Sequence, residues 1–204
     1  MKIPQKLSII LIIAFIWSGL APKSYLTWAL EVIPAIVGFI LLIITYKNFK
    51  FTNLVYFTVF ISIIVITIGG HYTYSDVPLF NWIKEVLGQT RNNYDKLGHF
   101  VQGFLPALMF REFFIQKKLI NQRFWLNGFV ITMCISISAI YEIFEWLVAY
   151  LAGGTAEEFL GTQGYIWDAQ SDMLYAIVGS LSAVLFLSKL QDKAILNMQK
   201  TDSK

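Results

Sequence analysis

Six apolar runs make up most of this chain, and they constrain its fold more than any other feature. A helix needs about 20 mostly apolar residues to cross a ~30 Å hydrocarbon core. The runs cover about 7–21, 27–46, 51–69, 96–116, 124–151 and 171–188. They predict an all-α polytopic integral membrane protein, in which residues 1–204 form a single transmembrane domain of about six helices.

Composition agrees with this class and excludes an ordinary soluble domain. Hydrophobic residues make up 56% of the chain and charged residues 14%, with a mean hydropathy of +0.60, whereas soluble domains carry about 25% charged residues. The basic residues are spread through short connections, which argues against a nucleic-acid partner. The lipid bilayer is therefore the expected partner, and the oligomeric state is left open. Cys134 lies inside an apolar run and is expected to pack there.

The first apolar run has two interpretations. It is short and follows Lys2 and Lys6, as in a secretory signal peptide, and Gly19 and Ala21 are the small residues of a cleavage site. Pro22 directly after that site disfavours cleavage. We therefore predict a retained transmembrane helix, with cleavage as the alternative.

The distribution of lysine and arginine predicts the orientation. Short cytoplasmic loops of membrane proteins are enriched in these residues. With the N-terminus inside, twelve of the sixteen fall on the inner side: Lys2, Lys6, Lys47, Lys50, Arg111, Lys117, Lys118, Arg123, Lys189, Lys193, Lys200 and Lys204. Lys23, Lys84, Arg91 and Lys96 fall on the outer side. Both termini are therefore predicted to be cytoplasmic.

The second outer loop, about 70–94, contains "SDVPLFNWIKEVLG". Ser75 or Asp76 is expected to cap a short helix that opens at Pro78. Its apolar residues recur at helical spacing, which predicts an interfacial helix on the outer surface. A structured loop packed over the helix ends fits the same pattern.

Ionisable residues inside the apolar runs fall at one depth, near the outer end. Asp95 and His99 are four residues apart and share a helix face, and so do Asp168 and Asp172. Glu142 and Glu145 in "YEIFEW" share a face at a spacing of three. Glu31 and His71 map to the same level, so five helices are expected to contribute to one outward-facing layer.

A carboxylate within a transmembrane helix costs at least ~2.5 kcal/mol, so such residues usually face the bundle interior and mark a functional site. Simpler explanations exist for each. Asp95 and Asp168 are placed to cap helices, and His71 fits a histidine at the wet headgroup level. Glu142 and Glu145 fit a hydrogen-bonded network that only holds the bundle together. The nearby aromatic residues fit an interfacial belt: Tyr94, Tyr141, Trp146, Tyr165 and Trp167.

The chemistry of these side chains suits a divalent metal, whose identity is left open. The candidate ligands are His71, Asp95, His99, Asp168 and Asp172. Glu142 and Glu145 are candidate catalytic acid/base residues, and the candidate substrate-binding residues are Arg91, Lys96, Gln102 and Gln170. The sequence contains no HExxH, GxSxG, phosphate-binding glycine loop or CxxC motif.

Four segments together, "GGHYTYSDVPLF", "NNYDKLGHFVQGF", "YEIFEW" and "GYIWDAQSDM", resemble the YjdF family of uncharacterised bacterial multi-pass inner-membrane proteins. The resemblance covers nearly all the chain after the first helix. It implies a bacterial cytoplasmic membrane location and a compact helical bundle, and it supplies no substrate.

A more distant resemblance is to VanZ-like proteins, which are associated with glycopeptide-antibiotic tolerance. Their pattern is similar to Asp95-Lys96-x-x-His99, Glu142 and Asp168. Asp172 stands where that family has an asparagine, and the arginine expected between Glu145 and Asp168 is missing.

Three functional hypotheses follow. The first is an outward-facing acidic/His site, metal-dependent, that acts on a lipid or envelope-linked substrate. The second is a proton- or cation-coupled transporter, disfavoured because the inner halves of the helices are expected to lack matching acids for a path across the membrane. The third is a non-catalytic structural membrane component.

Overall fold

A computed structural model describes residues 3–152 and 162–202, and all regular structure within those ranges is helical. The helices are α1 (Ile3–Gly19), α2 (Tyr25–Thr45), α3 (Asn53–Tyr72), α4 (Pro78–Val86), α5 (Tyr94–Gln116), α6 (Arg123–Ala152), α7 (Asp168–Ser182) and α8 (Ser188–Asp202). A π-helical turn, Ala183–Leu187, joins α7 to α8. Lys2 and Lys204, two of the predicted inner charges, lie outside the described residues.

Several helices are suited to a bilayer, which confirms the predicted fold class. In the described part of the chain, four helical stretches are long and apolar enough to span, namely Tyr25–Thr45, Asn53–Tyr72, Arg123–Leu151 and Asp168–Thr201, and α1 is a shorter apolar helix. Helix α5 has 23 residues but carries charged pairs near both ends. The count of six spanning helices and the cytoplasmic termini stay predictions.

Large apolar side chains cover much of the outer surface of the bundle, as expected for lipid contact. Helix α2 exposes Ile33, Val37 and Ile44, and α6 exposes Ile140 and Ile143. These residues would be an aggregation hazard in water. They are the natural exterior of a protein whose solvent is hydrocarbon.

Helix α5 lies at the centre, where it packs against α3, α6 and α7. Its closest neighbour is α7, which runs parallel to it. A Cβ on Gly103 would overlap the backbone carbonyl of Ala176, and one on Gly179 would overlap that of Phe100. Small residues allow such close helix contact in membranes, and this contact brings the first turn of α5 beside the first turn of α7.

The short outer helix begins at Pro78 as predicted, but its N-cap is not one of the predicted residues. Val77 occupies the N-cap position and makes no side-chain cap hydrogen bond, so the predicted capping by Ser75 or Asp76 is wrong. The Asp76 carboxylate instead pairs with Lys23. Phe80 of α4 packs on Tyr94 with ring centroids 5.0 Å apart, while no residue of the helix is buried. The helix therefore combines both alternatives: it is attached to the bundle end through Phe80 and is otherwise on the surface.

A buried polar cluster lies near the C-terminal end of α5. Glu112 is fully buried, and its carboxylate accepts hydrogen bonds from the backbone N–H and the hydroxyl of Thr52 at the start of α3. Arg111 is also buried and bonds Gln191 Oε1 at 3.0 Å and Asp192 at 2.7 Å. The expectation that the inner halves of the helices lack acids is therefore wrong.

Candidate functional site

Three helices bring ionisable side chains together at the end of the bundle that is predicted to face outward. The first turns of α5 and α7 contribute Asp95, Lys96, His99, Asp168 and Asp172, and α6 contributes Glu142. We call these six residues the polar cluster. The four-residue spacings place each Asp and its partner one helical turn apart on the same face. Close packing of α5 on α7 then turns those two faces toward each other.

Lys96 joins the two helices and is only 6% exposed. Its Nζ donates hydrogen bonds to Asp168 Oδ1 at 2.7 Å and to Asp172 Oδ1 at 2.6 Å. It also lies 3.7 Å from Asp95 Oδ2. Three carboxylates therefore share one ammonium group, which offsets part of the repulsion among them.

The His99 imidazole lies between two acids from different helices. Its Nε2 is 3.3 Å from Asp95 Oδ1, and its Nδ1 is 3.6 Å from Glu142 Oε1. The same Nδ1 lies 3.0 Å from Gln102 Oε1. Because each ring nitrogen faces a carboxylate, this imidazole can accept a proton on one side and release one on the other.

Two side chains at the site have buried polar atoms that make no hydrogen bond among the described residues. The Nη1 of Arg91 binds Asp168 Oδ1 at 2.7 Å, whereas its Nε and Nη2 are buried without a hydrogen-bond partner among the described residues, although Nη2 lies 3.8 Å from Asp95 Oδ2. The Oε1 of Glu142 is likewise buried and without such a partner. Buried polar atoms are rarely left unpaired. One unpaired donor edge and one unpaired acceptor therefore point to a ligand.

The Tyr165 ring lies over this cationic part of the site. The Arg91 guanidinium carbon is 5.4 Å from the ring centroid, and Lys96 Nζ is 5.9 Å from it. These are cation–π distances. Tyr165 therefore covers the two cations, and its exposed side chain also remains compatible with a headgroup belt.

Glu31, Tyr141 and Glu145 extend the polar region toward α2. The Tyr141 hydroxyl donates to Glu31 Oε2 at 2.9 Å, which links α6 to α2. Glu145 interacts electrostatically with Glu31 and Glu142. Outside the spanning helices, burial raises the pKa of the Tyr74 phenol well above its usual value, so this hydroxyl stays protonated at neutral pH.

Other sequence-predicted residues lie elsewhere or have different contacts. The Nδ1 of His71 is 3.1 Å from the Ser18 backbone oxygen, and its ring stacks on Trp17 with centroids 4.6 Å apart. It is not part of the polar cluster. Gln170 is exposed on α7.

The capping and belt interpretations are wrong for several residues. The N-caps of α5 and α7 are Asn93 and Trp167, and neither Asp95 nor Asp168 serves as a cap. The Tyr94 hydroxyl donates to the Val65 backbone oxygen at 2.9 Å. Internal hydrogen bonds thus hold Tyr94 and, as described above, Tyr141. Trp146 and Trp167 are exposed, as a belt requires.

Three residues could hold one metal ion. Asp95, His99 and Asp172 each offer a ligand atom, and these atoms lie within 4.8 Å of one another. Lys96 competes for Asp172, since its Nζ lies 2.6 Å from one carboxylate oxygen. Asp168, another predicted ligand, is held by Arg91 and Lys96.

Sequence reasoning missed Arg111, Glu112 and Gln191, the buried cluster at the far end of α5. The lysine and arginine distribution places Arg111 among the inner basic residues. An Arg-Glu pair within an apolar run is the signal that could have identified it, because ionisable residues at that depth are normally paired inside the protein.

Comparison with known proteins places the chain in one family. Residues 3–193 match the family model described as "Predicted membrane protein (DUF2238)". The chain is 41% identical over 179 residues to the inner membrane protein YjdF of Escherichia coli (strain K12), which covers 88% of this chain and 86% of the relative. No solved structure matches, and the VanZ-like resemblance finds no support. The relative's name agrees with the predicted inner-membrane location. This chain belongs to the DUF2238 family of predicted membrane proteins and is a homologue of the inner membrane protein YjdF.

Proposed function

We propose that the polar cluster is an acid/base site that acts on a lipid or envelope-linked substrate at the outer leaflet. The observation that supports this most is the Glu142 carboxylate. Its Oε1 is buried and has no hydrogen-bond partner among the described residues, yet it lies 3.6 Å from His99 Nδ1. A structural acid network would be expected to satisfy that oxygen.

In this proposal Glu142 and His99 move the proton. Glu142 is the group that gives a proton to the substrate or takes one from it, and His99 exchanges that proton through Nδ1. Asp95, 3.3 Å from Nε2, orients the ring. Glu145, the second predicted acid, is assigned a supporting electrostatic role next to Glu142 and Glu31.

Arg91 is the proposed contact for an anionic group on the substrate. Its Nη1 is occupied by Asp168, whereas the edge formed by Nε and Nη2 makes no hydrogen bond among the described residues and Nη2 lies 3.8 Å from Asp95 Oδ2. Such an edge binds phosphate or carboxylate through two parallel hydrogen bonds. Lys96 is already shared by Asp168 and Asp172, so we assign it to holding the site together.

A divalent cation is the proposed cofactor, with Asp95, His99 and Asp172 as ligands; with the cation bound, His99 holds the metal and Glu142 alone exchanges the proton with the substrate. Among the described residues, Arg91 and Lys96 are the permanent cations beside Asp95, Glu142, Asp168 and Asp172, which leaves a formal charge of −2 when His99 is neutral. Like charges this close must share protons or bind a cation. Histidine nitrogen and carboxylate oxygen suit zinc, manganese or iron.

The acid/base role predicts a loss of activity in amide variants. Glu142→Gln and His99→Gln proteins, produced at matched levels in a strain without its own homologue, are expected to convert substrate at least about 100-fold more slowly. The measurement is mass spectrometry of envelope lipids and lipid-linked intermediates. Glu85→Gln, the same change on the exposed helix α4, is the control and should match wild type. A Glu142→Gln protein with full activity would remove the proposed role.

The metal is tested separately by elemental mass spectrometry of detergent-purified protein. We expect near one ion per chain in wild type after growth with added zinc, manganese or iron, and loss of that ion in Asp95→Asn,His99→Gln. Asp76→Asn, which changes a surface acid, should retain it. Absence of metal from folded wild type would leave the acid/base pair to act without a cofactor.

The transporter hypothesis gains one observation from the structure, the buried polar cluster at the far end of α5. Arg111 lies twelve positions after His99, which corresponds to about 18 Å along the helix. Gln102 is the only polar side chain among the α5 residues between them. Proton flux in proteoliposomes that disappears in Glu145→Gln, with unchanged envelope lipids, would favour transport over the proposed chemistry.

A further inference from the structure

A cavity of about 380 Å³ lies between α2, α3, α5 and α6, beside the polar cluster. Its walls are largely apolar and include Phe39, Ile63, Val101, Leu105 and Met109. Cavities of this size that are mostly apolar, with a few polar groups at one place, are typical small-molecule sites.

The polar groups of this cavity are gathered at one end. Asp95, His99 and Gln102 line it from α5, Glu31 from α2, and Tyr141 from α6. The Glu31–Tyr141 hydrogen bond crosses that end between the two helices. The cavity is therefore amphipathic, with its polar end directly at the imidazole that we propose to transfer protons.

The position of the cavity restricts its occupant. Its apolar walls belong to helical stretches suited to spanning a bilayer, including Tyr25–Thr45 and Asn53–Tyr72. Most of the apolar side chains of helix α2 are exposed on the outside of the bundle. A second apolar groove shares Phe39, Leu42 and Val59 with the first and continues toward the start of α1. A hydrocarbon chain from the bilayer is therefore the natural occupant, since water gains nothing there.

We propose that this cavity binds the acyl chain of a membrane lipid whose polar headgroup lies at Asp95, His99 and Arg91. The inference rests on the proposed function and specifies its substrate class: an amphiphile with an anionic headgroup, entering from the bilayer beside α2. The chain fills the apolar walls, and the headgroup lies at the polar end beside Asp95 and His99. Arg91 Nη2 is 3.8 Å from Asp95 Oδ2, and its Nε and Nη2 make no hydrogen bond among the described residues, so this guanidinium is the cation next to the headgroup.

Gly38 makes the proposal testable. It lines the cavity from α2, and a Cβ added there meets nothing within 4 Å. Gly38→Leu should therefore occupy the cavity without disturbing the helices. Gly128→Leu on α6 is the matched control, because it also points into open space and does not line the cavity.

The probe is phosphatidylglycerol with a photoreactive group on its acyl chain, in vesicles that contain the purified protein. Peptide mass spectrometry should find labels on Ile63 and Val101, which are buried and face the cavity. Labels on the lipid-exposed Phe124 and Trp125 report ordinary bilayer contact. We expect Gly38→Leu to lose the cavity labels and keep the surface labels, and Gly128→Leu to keep both.

Equal cavity labelling in all three proteins, or none in wild type, would overturn the acyl-chain site. If Gly38→Leu does not fold, Ala35→Leu fills the same cavity from the next helical turn and replaces it. His99→Gln separates the two proposals. Cavity labelling that persists in His99→Gln, in a variant that still processes envelope lipids as wild type does, would leave the lipid site standing and refute the acid/base function.

Discussion

A Lys96→Gln protein is expected to lose about 3–5 kcal/mol of stability, because the change leaves buried carboxylates without their cation. The Lys96 ammonium lies within hydrogen-bonding distance of both Asp168 and Asp172 and is almost fully buried. Glutamine can donate a hydrogen bond but cannot offset two negative charges. The measurement is the free energy of unfolding in detergent, from denaturant titration followed by circular dichroism.

Lys23→Gln provides the matched control. Lys23 pairs with Asp76, and the two side chains are 56% and 42% exposed. Exposed ion pairs contribute about 0–1 kcal/mol, so this variant should unfold almost as wild type does. The double variant Lys96→Gln,Asp172→Asn should lose less than the sum of its single changes, because it removes one of the orphaned charges. A Lys96→Gln protein as stable as wild type would show that the carboxylates are neutral or paired by another group.

A Gly103→Val protein is expected to show the second large loss, through helix packing rather than charge. A side-chain atom at position 103 would overlap the Ala176 backbone carbonyl on α7, and backbone cannot move aside as a flexible side chain can. The two helices must therefore separate, which also draws Lys96 away from Asp168 and Asp172. Overpacking of this kind costs about 1–3 kcal/mol or more. The readout is the thermal unfolding midpoint in detergent.

Alanine substitutions at three glycines test the packing argument through the direction of the change in stability. Glycine in a helix interior is about 1 kcal/mol less favourable than alanine, so Gly38→Ala and Gly128→Ala, which meet open space, should be neutral or slightly stabilising. Gly103→Ala should instead be destabilising. A Gly103→Ala protein that unfolds at or above the wild-type temperature would contradict the close α5–α7 contact.

The sequence determined the helices and the pairing of residues along each helix. The apolar runs predicted α1 to α3 and α5 to α7, because a hydrocarbon core imposes a length of about 20 residues. Four-residue spacing placed Asp95 with His99 and Asp168 with Asp172 for a local geometric reason. The Pro78 start of the short outer helix followed from the fixed backbone angle of proline.

Depth along a helix does not say which way a side chain faces, and this is why the sequence placed His71 with the site. Its ring instead stacks on Trp17. The sequence also placed Lys96 among the substrate-binding candidates and Arg111 among the inner basic residues. The tertiary structure buries both and makes them the central cations of two separate clusters.

Only the tertiary structure decided which acids meet. Glu142 of α6 lies 3.6 Å from His99 on α5, whereas Glu31 of α2 accepts a hydrogen bond from Tyr141 of α6. That choice depends on the rotation of α6 against α5, which side-chain packing sets. Helix formation follows from hydrogen bonds and apolar length within one segment, but rotation about a helix axis follows from contacts between segments far apart in the chain. The close approach at Gly103 and Gly179 is such a contact, and it turns one carboxylate-bearing helix face toward another to form the site.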